Sequence, residues 1–284
     1  MEVIADPIAM QRRAEAARRW GDRIALVPTM GFLHEGHLTL MREGRARASM
    51  LVASIFVNPT QFGPNEDLAH YPRDLSGDLA KLREVPVDVV FTPDREAIYT
   101  PGAQTWVEVT ELTRGLCGAH RPGHFRGVTT IVAKLFNLVK PHFAIFGEKD
   151  FQQLRAIQRM VIDLNFDLEI VPMPIVREKD GLAMSSRNAY LSPDERRDAL
   201  ALSRALFAAR DHYVAGMRDA ETLRKTALKV IAETPKVELE YLEAVDADTL
   251  EWPARADRPI LLAVAARVGT TRLIDNIVLG VRRP

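Results

Sequence analysis

Through the first two-thirds of the chain, short apolar runs alternate with longer stretches of helical period. Residues 24–27, 51–57, 87–91, 143–146 and 168–171 are expected to be strands, and helical patterns begin between them near His34, Arg73, Phe125 and Lys149. Strands without polar alternation are buried on both faces, and helices placed between such strands are the crossovers of a parallel sheet. The pattern therefore predicts an α/β domain whose ligands lie beyond the carboxyl ends of its strands. Asp6 and Pro7 read as the N-cap and first residue of one more helix, closed by Gly21.

The last third changes character. Ser192, Pro193, Asp194 and Glu195 form a helix start, and two amphipathic helices are expected to run to about Glu233. Strand-like runs follow at 237–245, 260–266 and 273–279, with Gly269 in a turn. Helices followed by strands predict a smaller α+β domain, and its boundary is expected between Val176 and Leu191. The expected division is 1–176 and 177–284, with no internal repeat or low-complexity segment.

Composition narrows the classes of function. The 284 residues are 47% hydrophobic and 27% charged, an ordinary globular balance. Lys plus Arg total 38 and Asp plus Glu total 38. That zero net charge lacks the basic excess with which proteins displace counterions from nucleic acid. Cys117 is the only cysteine, which excludes an intrachain disulfide and a cysteine-cluster metal site and suits a reducing cytoplasm. The N-terminus mixes Arg12, Arg13, Arg18 and Arg19 with alanines, unlike a secretory signal. No run approaches the ~20 apolar residues of a membrane span. A soluble, intracellular protein is expected.

Four polar segments carry candidate chemistry. The first is Pro28-Thr29-Met30-Gly31-Phe32-Leu33-His34-Glu35-Gly36-His37, which follows a strand and opens a helix. Backbone N–H groups and the positive helix end there are expected to face a phosphate. Gly31 permits a tight turn, and Gly36 lets a flat base approach the backbone. His34 and His37 share a helix face, so both rings can donate to phosphate oxygens as charge develops. A zinc pair is the alternative, although HEGH is not the HExxH pattern and spacing offers no third ligand. The HxGH element resembles the signature of the nucleotidyltransferase superfamily that includes class I aminoacyl-tRNA synthetases.

The second segment, Asn58-Pro59-Thr60-Gln61-Phe62-Gly63-Pro64, also follows a strand. The amides of Asn58 and Gln61 can each donate and accept, which suits a substrate with hydroxyl and carboxylate groups. An ordinary Asn-Pro turn is the alternative. Tyr71 comes soon after and can line the same cleft. In the third segment, Gly147-Glu148-Lys149-Asp150-Phe151-Gln152-Gln153, Lys149 sets a mobile cation at a helix start. Asp150 can accept from ribose hydroxyls, and Gln153, four residues beyond Lys149, can face the same cleft. The fourth, Met184-Ser185-Ser186-Arg187-Asn188, places two hydroxyls and a guanidinium in what reads as a flexible loop, a candidate phosphate clamp.

In this order and at these separations the four segments resemble the pantothenate synthetase (pantoate–β-alanine ligase) family. The likeness covers nearly the whole chain, including Leu112-Thr113-Arg114-Gly115-Leu116-Cys117 and Arg121-Pro122-Gly123-His124-Phe125-Arg126-Gly127-Val128. It implies a Rossmann-like N-terminal domain holding ATP and pantoate, and a C-terminal domain acting as a lid. Met30, Gly31, Phe32, Leu33, His34, Glu35, Gly36 and His37 are implied to contact ATP, with His37 the proton donor. Gly147, Glu148, Lys149, Asp150, Val176, Met184, Ser185, Ser186 and Arg187 are implied to complete the ATP site. Of these residues, His34, His37, Lys149 and Arg187 are the expected catalytic groups. Gln61 and Gln153 are implied to bind pantoate, Gln61 to neighbour β-alanine, and Asn58, Tyr71 and Arg121 to surround the substrates or phosphates. Mg²⁺ on ATP and a homodimer are implied in the same way. The rival readings are another HxGH nucleotidyltransferase such as a cytidylyltransferase, a tRNA synthetase, and a catalytically silent nucleotide-binding module. A tRNA synthetase is disfavoured because no basic anticodon-binding extension is present.

Overall fold

Side chains alternate across a strand, so a strand apolar at every position must be covered on both sides. That requirement shapes the computed structural model, which describes residues 1–252 and 258–280. In chain order the elements are β1 (Glu2–Ile4), α1 (Pro7–Arg19), β2 (Ile24–Thr29), α2 (Glu35–Arg47), β3 (Met50–Ile55), α3 (Leu75–Glu84), β4 (Val89–Phe91), α4 (Arg95–Ile98) and α5 (Leu116–His120). There follow α6 (His124–Val139), β5 (Phe143–Gly147), α7 (Phe151–Asp163), β6 (Glu169–Met173), α8 (Pro193–Val214), α9 (Ala220–Ala232), β7 (Val237–Asp246), β8 (Ile260–Val268) and β9 (Thr271–Leu279).

The chain divides into two compact units. The first comprises Met1–Glu111, Arg121–Glu148 and Gln153–Pro174; the second comprises Leu112–His120, Lys149–Gln152 and Ile175–Pro284.

In the first unit six parallel strands run in the order β1-β4-β3-β2-β5-β6. Ile24 and Leu26 point into the layer beneath α1, α6 and α7, while Ala25 and Val27 point into the layer beneath α2 and α3. Truncating a fully buried residue such as Leu26 to Ala costs ~2–5 kcal/mol. From β2 the chain winds outward to β3 and β4, and from β5 it winds the other way to β6. The gap between β2 and β5 is therefore the topological switch point, where open α/β sheets bind ligands beyond the strand ends. Asp6 caps α1 as expected, accepting from the N–H groups of Ile8 at 3.0 Å and Ala9 at 3.3 Å. β1 is an addition to the strands legible in the sequence; it is three residues long and buries only Ile4.

In the second unit β7, β8 and β9 form an antiparallel sheet, with Gly269 at φ +57° in the turn between β8 and β9. One face packs on α8 and α9, whose capping box at Ser192 and Glu195 fixes the start of α8. The other face, carrying Val245, Leu261 and Ala263, is covered by Leu112, Leu116 and Phe151. This contact explains why two short pieces distant in sequence belong to the second unit.

Candidate active site

The first cluster is built on the turn after β2. Gly31 has φ +83°, and a Cβ there would sit 3.0 Å from both Asp78 Oδ2 and Ile55 Cγ2. Asp78, 1% exposed on α3, accepts from the Phe32 N–H at 2.8 Å and the Leu33 N–H at 2.7 Å. Lys81 Nζ donates to the Leu33 carbonyl at 2.7 Å. The amides of Phe32 and Leu33 are thus committed to a buried carboxylate. Asp78 went unnoticed in the sequence. Its signal was a lone acid on the apolar stripe of α3, four residues before Leu82.

His34 is the N-cap of α2, and its ring lies 4.0 Å, centroid to centroid, from that of His37. The His34 N–H donates to His37 Nδ1 at 3.3 Å. An Nδ1 that accepts carries no proton, so the neutral His37 ring keeps its hydrogen on Nε2. The two imidazoles thus stand together at the carboxyl end of β2, on a helix N-terminus that favours anions.

Beyond β3, Asn58 is 1% exposed and fully engaged. Its Oδ1 accepts from Thr60 Oγ1 at 2.9 Å and Tyr99 Oη at 2.8 Å, and its Nδ2 donates to Gln61 Oε1 at 3.0 Å and the Gly127 carbonyl at 3.1 Å. The Asn58 amide is thus committed to protein partners, among them the Gln61 side chain. Gln61 Nε2 in turn donates to Met30 Sδ at 3.2 Å, joining the first two segments. A Cβ on Gly127 would collide with the Thr60 carbonyl, so α6 approaches this turn as closely as backbone can.

Arg121 serves the same residue. It pairs through Nε with Glu66 Oε1 at 2.8 Å and through Nη2 with Glu66 Oε2, and Nη2 also reaches the Gln61 carbonyl at 3.2 Å. His124 Nδ1 lies 2.8 Å from that carbonyl. The guanidinium is therefore a brace for Gln61 and not an open cation. Burial alone would raise the Glu66 carboxyl, but the Arg121 fork and the neighbouring His124 hold it below the usual carboxylate range. Tyr71 is buried and stacks edge-on against Phe62, with ring centroids 5.9 Å apart. Gly147 ends β5, and Glu148 opens the turn beyond it.

Gln153, at the start of α7, is partly exposed, whereas its neighbour Gln152 is buried. In the second unit, Gln152 accepts from the Cys117 N–H at 3.0 Å and donates to the carbonyls of Leu112 at 2.9 Å and Gly115 at 2.8 Å. Lys149 and Asp150 belong to the same unit.

The loop containing Val176, Met184, Ser185, Ser186 and Arg187 is a hairpin clasped by hydrogen bonds. The Met184 N–H donates to the Val176 carbonyl at 3.0 Å, and Arg177 bridges Ala183. Asn188 Nδ2 donates to Glu178 Oε1 at 3.0 Å and to the Ala183 carbonyl at 3.1 Å. Ser185 Oγ accepts from the Arg187 N–H at 3.3 Å and caps the 3₁₀ turn Ser186–Tyr190. Among the described residues no group of three His, Cys, Asp or Glu side chains is arranged to hold a metal ion. No helix among them is long and apolar enough to cross a membrane.

Paired imidazoles at a helix start and a braced amide thus lie beyond a parallel sheet's switch point, the place where open α/β sheets bind their ligands. The sequence model of the family described as pantoate-beta-alanine ligase matches residues 2–278. The chain is 58% identical over 280 residues to the pantothenate synthetase of Geobacter sulfurreducens, covering 99% of each chain. The crystal structure of pantothenate synthetase from Thermus thermophilus superposes with a TM-score of 0.91 at 44% identity, covering 98% of this chain and 99% of that one. A pantoate-beta-alanine ligase from Francisella tularensis, solved in complex with beta-gamma ATP and beta-alanine, gives 0.79 at 30% identity, covering 98% and 97%. The chain belongs to the pantoate–β-alanine ligase family.

Proposed function

We propose that this chain condenses (R)-pantoate with β-alanine to form pantothenate, consuming ATP through a pantoyl-adenylate and releasing AMP and pyrophosphate. The observation that carries this reading is the cluster beyond β2 and β3. There His34 and His37 stand together on a helix start, and Gln61 is held at both its side chain and its carbonyl.

A pantoate carboxylate oxygen attacks the α-phosphorus in line, and the bond to the pyrophosphate oxygen breaks. The amine of β-alanine then attacks the acyl carbon, and AMP leaves with one former carboxylate oxygen. His37 donates its Nε2–H to the phosphate oxygens, and His34 contributes a second ring donor. Fixed donors of this kind, aimed where charge develops, need no reorganisation in the transition state. Met30, Gly31, Phe32, Leu33, Glu35 and Gly36 line the nucleotide, and the Met30 sulfur also sets Gln61. Gly147, Glu148, Lys149, Asp150, Val176, Met184, Ser185, Ser186 and Arg187 complete the ATP contacts, Lys149 and Arg187 as cations on the phosphates. Gln61 and Gln153 bind pantoate. Asn58 and Arg121 act through Gln61, and Tyr71 shapes the same wall through Phe62. Mg²⁺, entering with ATP, would offset part of the phosphate charge beside the Lys149 and Arg187 cations. No protein nucleophile is required. We further assign the enzyme to the cytoplasm as a homodimer, a state that sedimentation of the purified protein tests.

Purified protein given ATP, (R)-pantoate and β-alanine yields one AMP and one pyrophosphate per pantothenate. Release of ADP and phosphate, or a product that keeps its nucleotide when the amine is present, overturns the reading.

A further inference from the structure

β9 carries two adjacent buried polar residues that the chemistry above does not use. Asp275 is 3% exposed and Asn276 is 5% exposed. A carboxylate and an amide at that depth are costly unless paired. Their signal in the sequence is a polar dipeptide interrupting the run Leu273-Ile274 and Ile277-Val278.

Each is paired with a segment assigned to ATP. Arg177 donates through Nη1 to Asp275 Oδ2 at 2.7 Å and through Nη2 to Asp275 Oδ1 at 2.9 Å. Its Nη1 also donates to the Gly181 carbonyl at 3.0 Å, inside the hairpin that carries Val176 and Met184. Asn276 Nδ2 donates to the Lys149 carbonyl at 2.9 Å. Successive strand residues point to opposite faces. Asp275 accordingly lies on the α8 and α9 face with Leu273, and Asn276 on the face covered by Phe151. Burial pushes the Asp275 carboxyl up, and the Arg177 fork and the Asn276 N–H oppose that rise.

We propose that the Asp275–Asn276 step is a positioning device for adenylation, fixing the Lys149 backbone and the Val176-to-Arg187 hairpin in one register through the two faces of a single strand. The inference rests on the assignment of Lys149 and the hairpin to ATP. Neither residue touches substrate. Each limits the freedom of a segment that does, and a small misplacement of a phosphate ligand slows the chemical step far more than it weakens a second substrate's binding.

The test is pantoate-dependent exchange of labelled pyrophosphate into ATP by Asn276→Ala, Asp275→Asn, Leu273→Ala and Lys149→Ala. Asn276→Ala and Asp275→Asn lose about 10–100-fold in exchange rate with the KM for pantoate little changed. In the Lys149→Ala background, Asn276→Ala causes no comparable further loss, as expected for residues acting as one unit. Leu273→Ala, in the core of the same strand, lowers the melting temperature and leaves exchange per folded molecule intact. Wild-type exchange in both polar variants, losses that multiply with Lys149→Ala, or an equal loss in Leu273→Ala overturns the proposal. Should Asn276→Ala not fold, the shape-conserving Asp275→Asn decides by the same split between rate and KM. Full activity of Lys149→Ala would instead sink the assignment of Lys149 to ATP, a failure distinct from that of the positioning step.

Discussion

The two units fasten their candidate site loops with different balances of forces. In the first, a buried carboxylate holds two backbone amides, and a buried amide holds the Gln61 side chain while the Arg121–Glu66 fork braces its carbonyl. In the second, the Val176-to-Arg187 hairpin is clasped by guanidinium–carboxylate pairs. One joins Arg177 to the buried Asp275; the other, Arg196 with Glu178 and Asp180 at 2.7 Å each, has its arginine side chain 33% exposed. Neutral and charge-assisted bonds to backbone are short and directional, and they define position once the group is buried. Exposed ion pairs are screened by salt and contribute only ~0–1 kcal/mol. The turns beyond β2 and β3 are therefore set atom by atom, while the outer half of the hairpin's clasp yields to ionic strength.

The largest effects are expected where the first unit presents its donors. His34→Ala and His37→Ala each lower kcat by ~10²–10³ while the KM for pantoate moves little. Because His37 Nδ1 accepts from the His34 N–H, Gln, whose amide mimics Nε2, retains more activity at position 37 than Asn. Near-wild-type turnover in the alanine variants, or Asn outperforming Gln, breaks the account of this cluster. Next comes Asp78→Asn, which leaves one of two amides poorly met and costs ~1–3 kcal/mol of stability in urea unfolding. A rise in the KM for ATP should accompany that loss. A variant equal to wild type in both would show that the turn holds itself.

Smaller effects belong to the amides. Gln61→Ala raises the KM for pantoate by ~3–10-fold, the worth of one hydrogen bond, with ATP affinity by calorimetry little changed. Asn58→Ala acts in the same direction through Gln61. In the second unit, Arg187→Lys should recover only part of the activity lost in Arg187→Ala, because lysine cannot reproduce a bidentate fork. A Gln61 variant that loses ATP and keeps pantoate reverses the assignment.

How much of this was legible before folding follows from range. β2, β3 and β5 announced themselves because each is a nearly continuous apolar run between helices, β4 and β6 despite one acid in each expected run, and α1 and α8 because their caps are local. β1 was invisible, since three residues with one buried side chain carry no period. The histidines and Gln61 stood out as unusual polar residues directly after strands. What holds them did not. Asp78 lies 45 residues from Leu33, and Arg121 lies 60 from Gln61, so a solvated acid or a free cation was the natural local reading of each. Gln152 and Gln153 are chemically identical in sequence; only the packing of residues 112–117 assigns the first to structure.

The smallest expected effect concerns pH. The Glu66 carboxyl titrates below its ordinary value of 4.5 in the folded protein. Its contribution is therefore complete above that value and lost as pH falls through the lower folded pKa. The stability difference between wild type and Glu66→Gln, measured by urea unfolding, should be constant near neutrality and shrink only in acid below the ordinary value. A difference that grows on acidification would contradict the Arg121–Glu66 brace.

The central claim is adenylyl transfer to pantoate, and isotope transfer tests it most directly. Pantoate labelled with ¹⁸O in its carboxylate is incubated with the enzyme, ATP and β-alanine, and the nucleotide and phosphate products are analysed by mass spectrometry. Attack on the α-phosphorus leaves one carboxylate oxygen on phosphate when the amine displaces AMP, so AMP acquires one label and pyrophosphate none. Label in inorganic phosphate, with ADP as the nucleotide product, would contradict the mechanism and the roles given to both histidines.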